Sequence, residues 1–231
     1  MKIFLDSSKL EEVNKWLPVI DGVTTNPTIL LKEGGDVYTL AHLLNPKPIS
    51  IEVCGDFETD ARKYAGEVPN AVIKIPLLKP NGGNNLELIK RLSKEGIPIN
   101  CTALMSLSQV ILATKCGARY VSLFAGRVDD EGGDYCKMIK DCIDFLDEEL
   151  CIEKGEGTEF YTDIELIVGS IRTVGNVLDA VRAGAHIVTI PPTVLEKMLV
   201  HRFSLDTVRQ FESDNEKSKS AVSGNLPHTL G

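Results

Sequence analysis

The chain has 231 residues, 43% hydrophobic and 25% charged, and a formal net charge of −8. That length fits one α/β barrel or two small domains, and a net negative charge excludes a general nucleic-acid binder, which needs basic surface to neutralise phosphates. No apolar run approaches the roughly 20 residues of a membrane span, and Met1-Lys2-Ile3-Phe4-Leu5-Asp6 turns acidic too early for a signal peptide, so a cytosolic protein with no membrane partner is expected.

In chain order, short β-branched runs at Lys2–Asp6, Gly22–Thr25, Ile49–Cys54, Ala71–Ile75, Ile97–Cys101, Tyr120–Phe124, Ile164–Ser170 and His186–Ile190 alternate with helical patterns. Repeated βα units of this kind make a parallel sheet, and eight of them suggest closure. Ser8-Lys9-Leu10-Glu11, Ser106-Leu107-Ser108-Gln109 and Thr193-Val194-Leu195-Glu196 match the capping box that starts a helix. Gly96, Gly117 and Gly184 each stand where a helical stretch must stop before the next strand. Leu86, Ile89 and Leu92 recur at helical spacing as a buried stripe.

No linker-like composition interrupts the pattern. The expected fold is therefore α/β, a single (β/α)8 barrel of the TIM type over residues 1–212. It carries a C-terminal amphipathic helix and a polar tail, 213–231, frayed or packed on a neighbouring subunit. A doubly wound open sheet is the alternative, but Asp6-Ser7-Ser8 lacks the Gly-rich phosphate fingerprint that usually follows its first strand. The six cysteines form no C-x-x-C and no zinc spacing with the four histidines, and several sit in apolar runs as reduced packing residues, so no zinc site is expected. The acidic stretch Asp129-Asp130-Glu131-Gly132-Gly133-Asp134 lacks the alternating ligands of an EF-hand and reads as a solvated loop opening a helix.

In such a barrel the active site lies at the C-terminal strand ends, where this chain places Asp6, Thr25, Asn26, Glu52, Lys74, Asn100, Thr102, Ser122, Ser170 and Arg172. Lys74 interrupts the apolar run Ala71-Val72-Ile73-Lys74-Ile75-Pro76. Burial would keep its amine neutral and able to add to a ketone, forming a Schiff base; the plainer alternative is a strand-end lysine reaching out to water. Asp6 and Glu52 are the candidate acid/base groups. Arg127 and Arg172, after successive strands, would clamp an oxyanion such as phosphate, although either one alone is a common surface ion-pair residue. Ser170 and Thr102 also suit a loop or a cap.

The blocks Ile3-Phe4-Leu5-Asp6-Ser7, Gly22-Val23-Thr24-Thr25-Asn26-Pro27-Thr28, Val72-Ile73-Lys74-Ile75-Pro76, Gly96-Ile97-Pro98-Ile99-Asn100-Cys101-Thr102, Tyr120-Val121-Ser122-Leu123-Phe124-Ala125-Gly126-Arg127 and Ser170-Ile171-Arg172, in this order and spacing, resemble the transaldolase family. The resemblance is to its small single-domain microbial branch, which also contains fructose-6-phosphate aldolases. It implies metal-free transfer of a dihydroxyacetone unit between sugar phosphates in a homo-oligomer, a pentamer or decamer. By resemblance Lys74 forms the Schiff base, Asp6 takes the hydroxyl proton, and Glu52 and Thr102 hold a water. Asn26 and Asn100 would bind the dihydroxyacetone hydroxyls, Ser122 would support the lysine, and Arg127, Ser170 and Arg172 would hold phosphate. Glu52 and Phe124 stand where the aldolase branch has Gln and Tyr, which implies transfer rather than free cleavage. Leu104-Met105, Leu123 and Gly169 depart from the family pattern around the pocket, and the family's late tryptophan is absent at Asp214-Asn215.

Overall fold

Strands rich in Val and Ile cannot leave both faces in water, and here they close on themselves. The computed structural model describes residues 1–152 and 164–224. The strands are β1 (Lys2–Asp6), β2 (Gly22–Thr24), β3 (Ile49–Glu52), β4 (Ala71–Pro76), β5 (Ile99–Leu104), β6 (Tyr120–Phe124), β7 (Glu165–Gly169) and β8 (Ile187–Ile190). All pair in parallel with their sequence neighbours, and β8 returns to β1, giving a closed barrel that settles the choice against an open sheet. The helices between them are α1 (Leu10–Trp16), α2 (Pro27–Glu33), α3 (Val37–Leu44), α4 (Phe57–Glu67), α5 (Leu86–Lys94), α6 (Leu107–Lys115), α7 (Ala125–Asp130), α8 (Tyr135–Ile152), α9 (Val174–Arg182) and α10 (Pro192–Leu199).

The chain divides into two compact units, Met1–Val194 and Leu195–Gly231. The second is dominated by α11 (Arg202–Gly224), a helix that runs on through Ser213 despite its polar composition, held by pairs one turn apart such as Gln210 with Asp214. Among the described residues no helix is long and apolar enough to cross a membrane.

Some boundaries differ from expectation for identifiable reasons. Gly96, Gly117 and Gly184 do adopt left-handed φ values of 83°, 84° and 89°, and Ser106 caps α6 through the Gln109 amide. Ser8 does not cap α1, because its backbone N–H and hydroxyl bond to Glu33 of α2 instead. Thr193 lies inside α10, which Pro192 starts. A complete capping box stands at Thr173 and Asn176, hidden from the S/T-x-x-E/Q pattern because Asn replaces Glu.

Inside the barrel the two-residue strand period sorts the lumen into layers. The lower one is apolar, made by Phe4, Val72, Tyr120, Ile167 and Ile187. Below it Glu165 accepts from Lys2 at 2.8 Å and from Arg119 at 3.1 Å. Two residues further along several strands the inward positions turn polar, which sets the next layer apart as the reactive one.

Candidate active site

Lys74 is 5% exposed in the middle of β4. The parallel register puts it beside Glu52 on one side and Asn100 on the other. Its Nζ lies 3.1 Å from Glu52 Oε2 and donates to the Thr25 carbonyl at 3.2 Å. Lys74 is thus buried, and a carboxylate and a carbonyl replace the water it lost.

Asp6 ends β1, with Oδ1 accepting from Thr24 Oγ1 at 2.8 Å. Thr24 Oγ1 is in turn 2.5 Å from Thr189 Oγ1 of β8. Burial pushes the Asp6 carboxyl above the usual carboxylate range, opposed by the charge of Lys74 and the Thr24 hydrogen bond and reinforced by Glu33 and Glu52. Glu33 is held in place by Ser7 Oγ and the Ser8 N–H, both at 2.7 Å. A cleft of about 380 Å³ opens beside Asp6, lined also by Lys9, Lys32, Pro191 and Pro192.

On the next strands Asn100 donates to Ser50 Oγ at 3.1 Å and accepts from Ser122 Oγ at 2.7 Å, all three buried. Thr102 sits in a β-bulge, where β5 slips its register against β6 and Ala103 takes a φ of 58°. Bulges re-aim side chains, and the Thr102 hydroxyl is buried without a hydrogen-bond partner among the described residues. An orphaned buried hydroxyl marks a place for a water or a ligand oxygen.

Thr25 takes part through its carbonyl, its hydroxyl being given to the Ser50 carbonyl at 2.9 Å. Asn26 caps α2, its Oδ1 accepting from the Ile29 N–H at 2.9 Å, which leaves its NH2 for a ligand. Phe124 ends β6, its ring passing close to Gly169.

Arg127 lies on α7 and not in a loop. Arg172 bonds Asp130 with both terminal nitrogens, and Arg127 Nη1 lies 3.7 Å from the same carboxylate. Arg172 holds the Asp130 carboxyl below its ordinary range. Of the acidic stretch, Glu131–Asp134 is the exposed loop that opens α8, as expected, while Asp129 and Asp130 end α7, where Asp130 joins the two arginines. Ser170 has a φ of 60°, strained for a side-chain-bearing residue. Among the described residues no group of three or more His, Cys, Asp or Glu could hold a metal ion.

Sequence reasoning missed Thr24, Thr189, Ser50 and Asp130. Period two back from Glu52 points to Ser50, and back from Asn26 to Thr24; Thr189, on a strand with no singled-out residue, had no such signal.

The transaldolase/fructose-6-phosphate aldolase family model matches residues 3–225. The chain belongs to this family. Two curated members, named probable transaldolases, come from Symbiobacterium thermophilum, 37% identical over 96% of this chain and 100% of its own, and from Nitrosopumilus maritimus, 36% identical over 95% and 97%. A Pediococcus acidilactici (putative) lactate oxidase structure aligns at a TM-score of 0.55 with 11% identity; the match covers 82% of this chain and 62% of that one, and shows the barrel fold alone.

Proposed function

We propose that this family member transfers a dihydroxyacetone unit from a ketose phosphate to an aldose phosphate through a Schiff base on Lys74. The expected reaction joins sedoheptulose 7-phosphate and glyceraldehyde 3-phosphate to give erythrose 4-phosphate and fructose 6-phosphate. The observation that carries this reading is a 5% exposed lysine with a carboxylate at 3.1 Å and, on the adjacent strand, a buried hydroxyl with no partner among the described residues.

In this mechanism Glu52 takes a proton from Lys74, and the free amine adds to the donor C2 carbonyl. Glu52 and a water on Thr102 return protons as the carbinolamine loses water to the iminium. Asp6 then removes the C4 hydroxyl proton; the C3–C4 bond breaks, its electron pair enters the iminium, and the aldose leaves. The enamine nitrogen is neutral, so the attraction that keeps Asp6 ionised is withdrawn just when Asp6 must hold the proton. Enamine attack on the acceptor aldehyde reverses the sequence, and hydrolysis frees Lys74. Asn26, Asn100 and Ser122 orient the dihydroxyacetone hydroxyls, while Ser170, Arg127 and Arg172 hold the phosphate.

Borohydride added with fructose 6-phosphate is expected to fix a dihydroxyacetone-derived mass on Lys74; folded protein without that adduct would refute the reading. The family also contains fructose-6-phosphate aldolase, and Glu52 with Phe124 favours transfer over it. Turnover of fructose 6-phosphate should therefore require an aldose phosphate acceptor, and release of free dihydroxyacetone at the same rate without one would favour the aldolase.

A further inference from the structure

The anion clamp contains a carboxylate, which at first sight belongs in no phosphate site. Arg172 has five N–H donors, and Asp130 takes one from each terminal nitrogen, Nη1 to Oδ1 and Nη2 to Oδ2. That end-on pairing leaves the side edge, the Nε–H and the second Nη2–H, available as another two-pronged donor. The side edge adjoins Ser170: a Cβ added to Gly126 would lie 2.7 Å from Ser170 Oγ and 3.2 Å from Arg172 Nε, so these polar atoms are within about 6 Å of one another. One tetrahedral anion making hydrogen bonds of about 2.8 Å can reach both. The Ser170 hydroxyl has no hydrogen-bond partner among the described residues, so it is available to donate.

The backbone beneath is fixed as firmly. The Arg172 N–H bonds Asn176 Oδ1 at 3.3 Å, Asn176 Nδ2 bonds Tyr135 Oη at 3.1 Å, and Tyr135 Oη donates to Asp179 at 2.8 Å. What this network does not hold is the Arg172 side chain itself, which is 47% exposed. Among the described residues only Asp130 hydrogen-bonds the guanidinium. Asp130 closes the same short helix whose second residue, Gly126, walls the anion seat, so one rigid element sets both the wall and the angle of the fork.

We propose that Asp130 is a positioning residue for substrate phosphate: by gripping the end of the Arg172 guanidinium it turns the opposite edge toward Ser170 and draws Arg127 to the same place. The inference rests on the reading of Arg172 and Ser170 as the phosphate seat. Asp130 takes only the end of the Arg172 fork, and Arg127 adds a second guanidinium, so donors remain for a phosphate even with Asp129 nearby. A partner of this exposure contributes little to folding, so its removal leaves a folded protein in which Arg172 must be immobilised by the substrate.

Inorganic phosphate is the probe, titrated calorimetrically into wild type, Asp130→Asn, Asp130→Glu and Arg172→Ala. Asp130→Asn should weaken phosphate by about 2- to 10-fold, the range for freezing one rotamer-rich side chain on binding. Asp130→Glu should recover part of the loss, and Arg172→Ala should abolish binding. In turnover, KM for fructose 6-phosphate should rise in Asp130→Asn while kcat at saturation is kept. Tighter phosphate binding in Asp130→Asn would make Asp130 a competitor and overturn the proposal, as would an equal loss with unphosphorylated dihydroxyacetone. Failure of wild type to form the Lys74 adduct would instead strike the functional reading, which the phosphate titration does not depend on.

Discussion

Replacing Gly126 by alanine tests how rigidly the phosphate seat is built. The new methyl would sit 2.2 Å from the Ser170 carbonyl oxygen, whereas carbon–oxygen contacts rest at about 3.3 Å or more. The Ser170 turn, or the start of α7, must therefore retreat by about 1 Å. Neither can do so freely. Ser170 is already at a φ of 60° and Arg172 is tied through Asn176, so the displacement carries the fork with it. Overpacking of this kind costs roughly 1–3 kcal/mol of stability, and a misplacement of about 1 Å in a substrate-positioning group can lower kcat/KM by about a hundredfold. The assay is steady-state turnover of fructose 6-phosphate with an aldose phosphate acceptor, alongside borohydride trapping of unphosphorylated dihydroxyacetone on Lys74. Turnover should fall by about two orders of magnitude while trapping is retained. Wild-type kinetics in a folded Gly126→Ala protein would refute the close approach of α7 to Ser170.

Asp6→Asn should abolish C3–C4 cleavage, a loss on the order of 10²–10⁴ for a general base, and also raise the melting temperature at pH 8. Because the folded-state pKa of Asp6 is raised, the folded protein binds more protons than the unfolded chain between the ordinary value and the raised one, so stability falls as pH rises through that window. Asparagine removes the penalty, worth about 0.5–2 kcal/mol, and a lower melting temperature at pH 8 would show that Lys74 attraction outweighs burial. His186 works in the opposite direction: its Nδ1 accepts from the Leu166 N–H at 3.0 Å, and burial lowers its pKa below 6.5. The unfolded chain then binds the extra proton, so stability should drop as pH falls from about 6.5 toward the depressed value. Denaturant melts across that range should show the slope in wild type and its absence in His186→Gln; equal slopes would refute the assignment.

The barrel was legible because each βα unit repeats the same local signals, and Lys74, Glu52 and Asp6 were legible because polar groups are conspicuous at the ends of apolar runs. Other features depended on distant chain. Ser8 satisfies a capping pattern locally, yet Glu33, 25 residues away, claims it. The bulge that buries Thr102 has no marker in Cys101-Thr102-Ala103-Leu104, since alanine rarely takes a positive φ and nothing in its neighbours announces it. Asp130 looked like one charge in an acidic run until Arg172, 42 residues on, was brought to it. Lys74 was readable as buried but not as paired, because Glu52 meets it only through the β3–β4 register.

The contact of Thr24 with both Asp6 and Thr189 has a directional consequence. A hydroxyl owns a single proton. With Asp6 ionised, Thr24 gives its proton to Asp6, so Thr189 must supply the one between the two threonines. Once Asp6 carries a proton on that oxygen the whole row can turn over, Asp6 feeding Thr24 and Thr24 feeding Thr189. These three side chains span the line where the last strand meets the first. The barrel is thus sealed by a hydrogen-bond relay whose polarity records whether its base is empty or loaded.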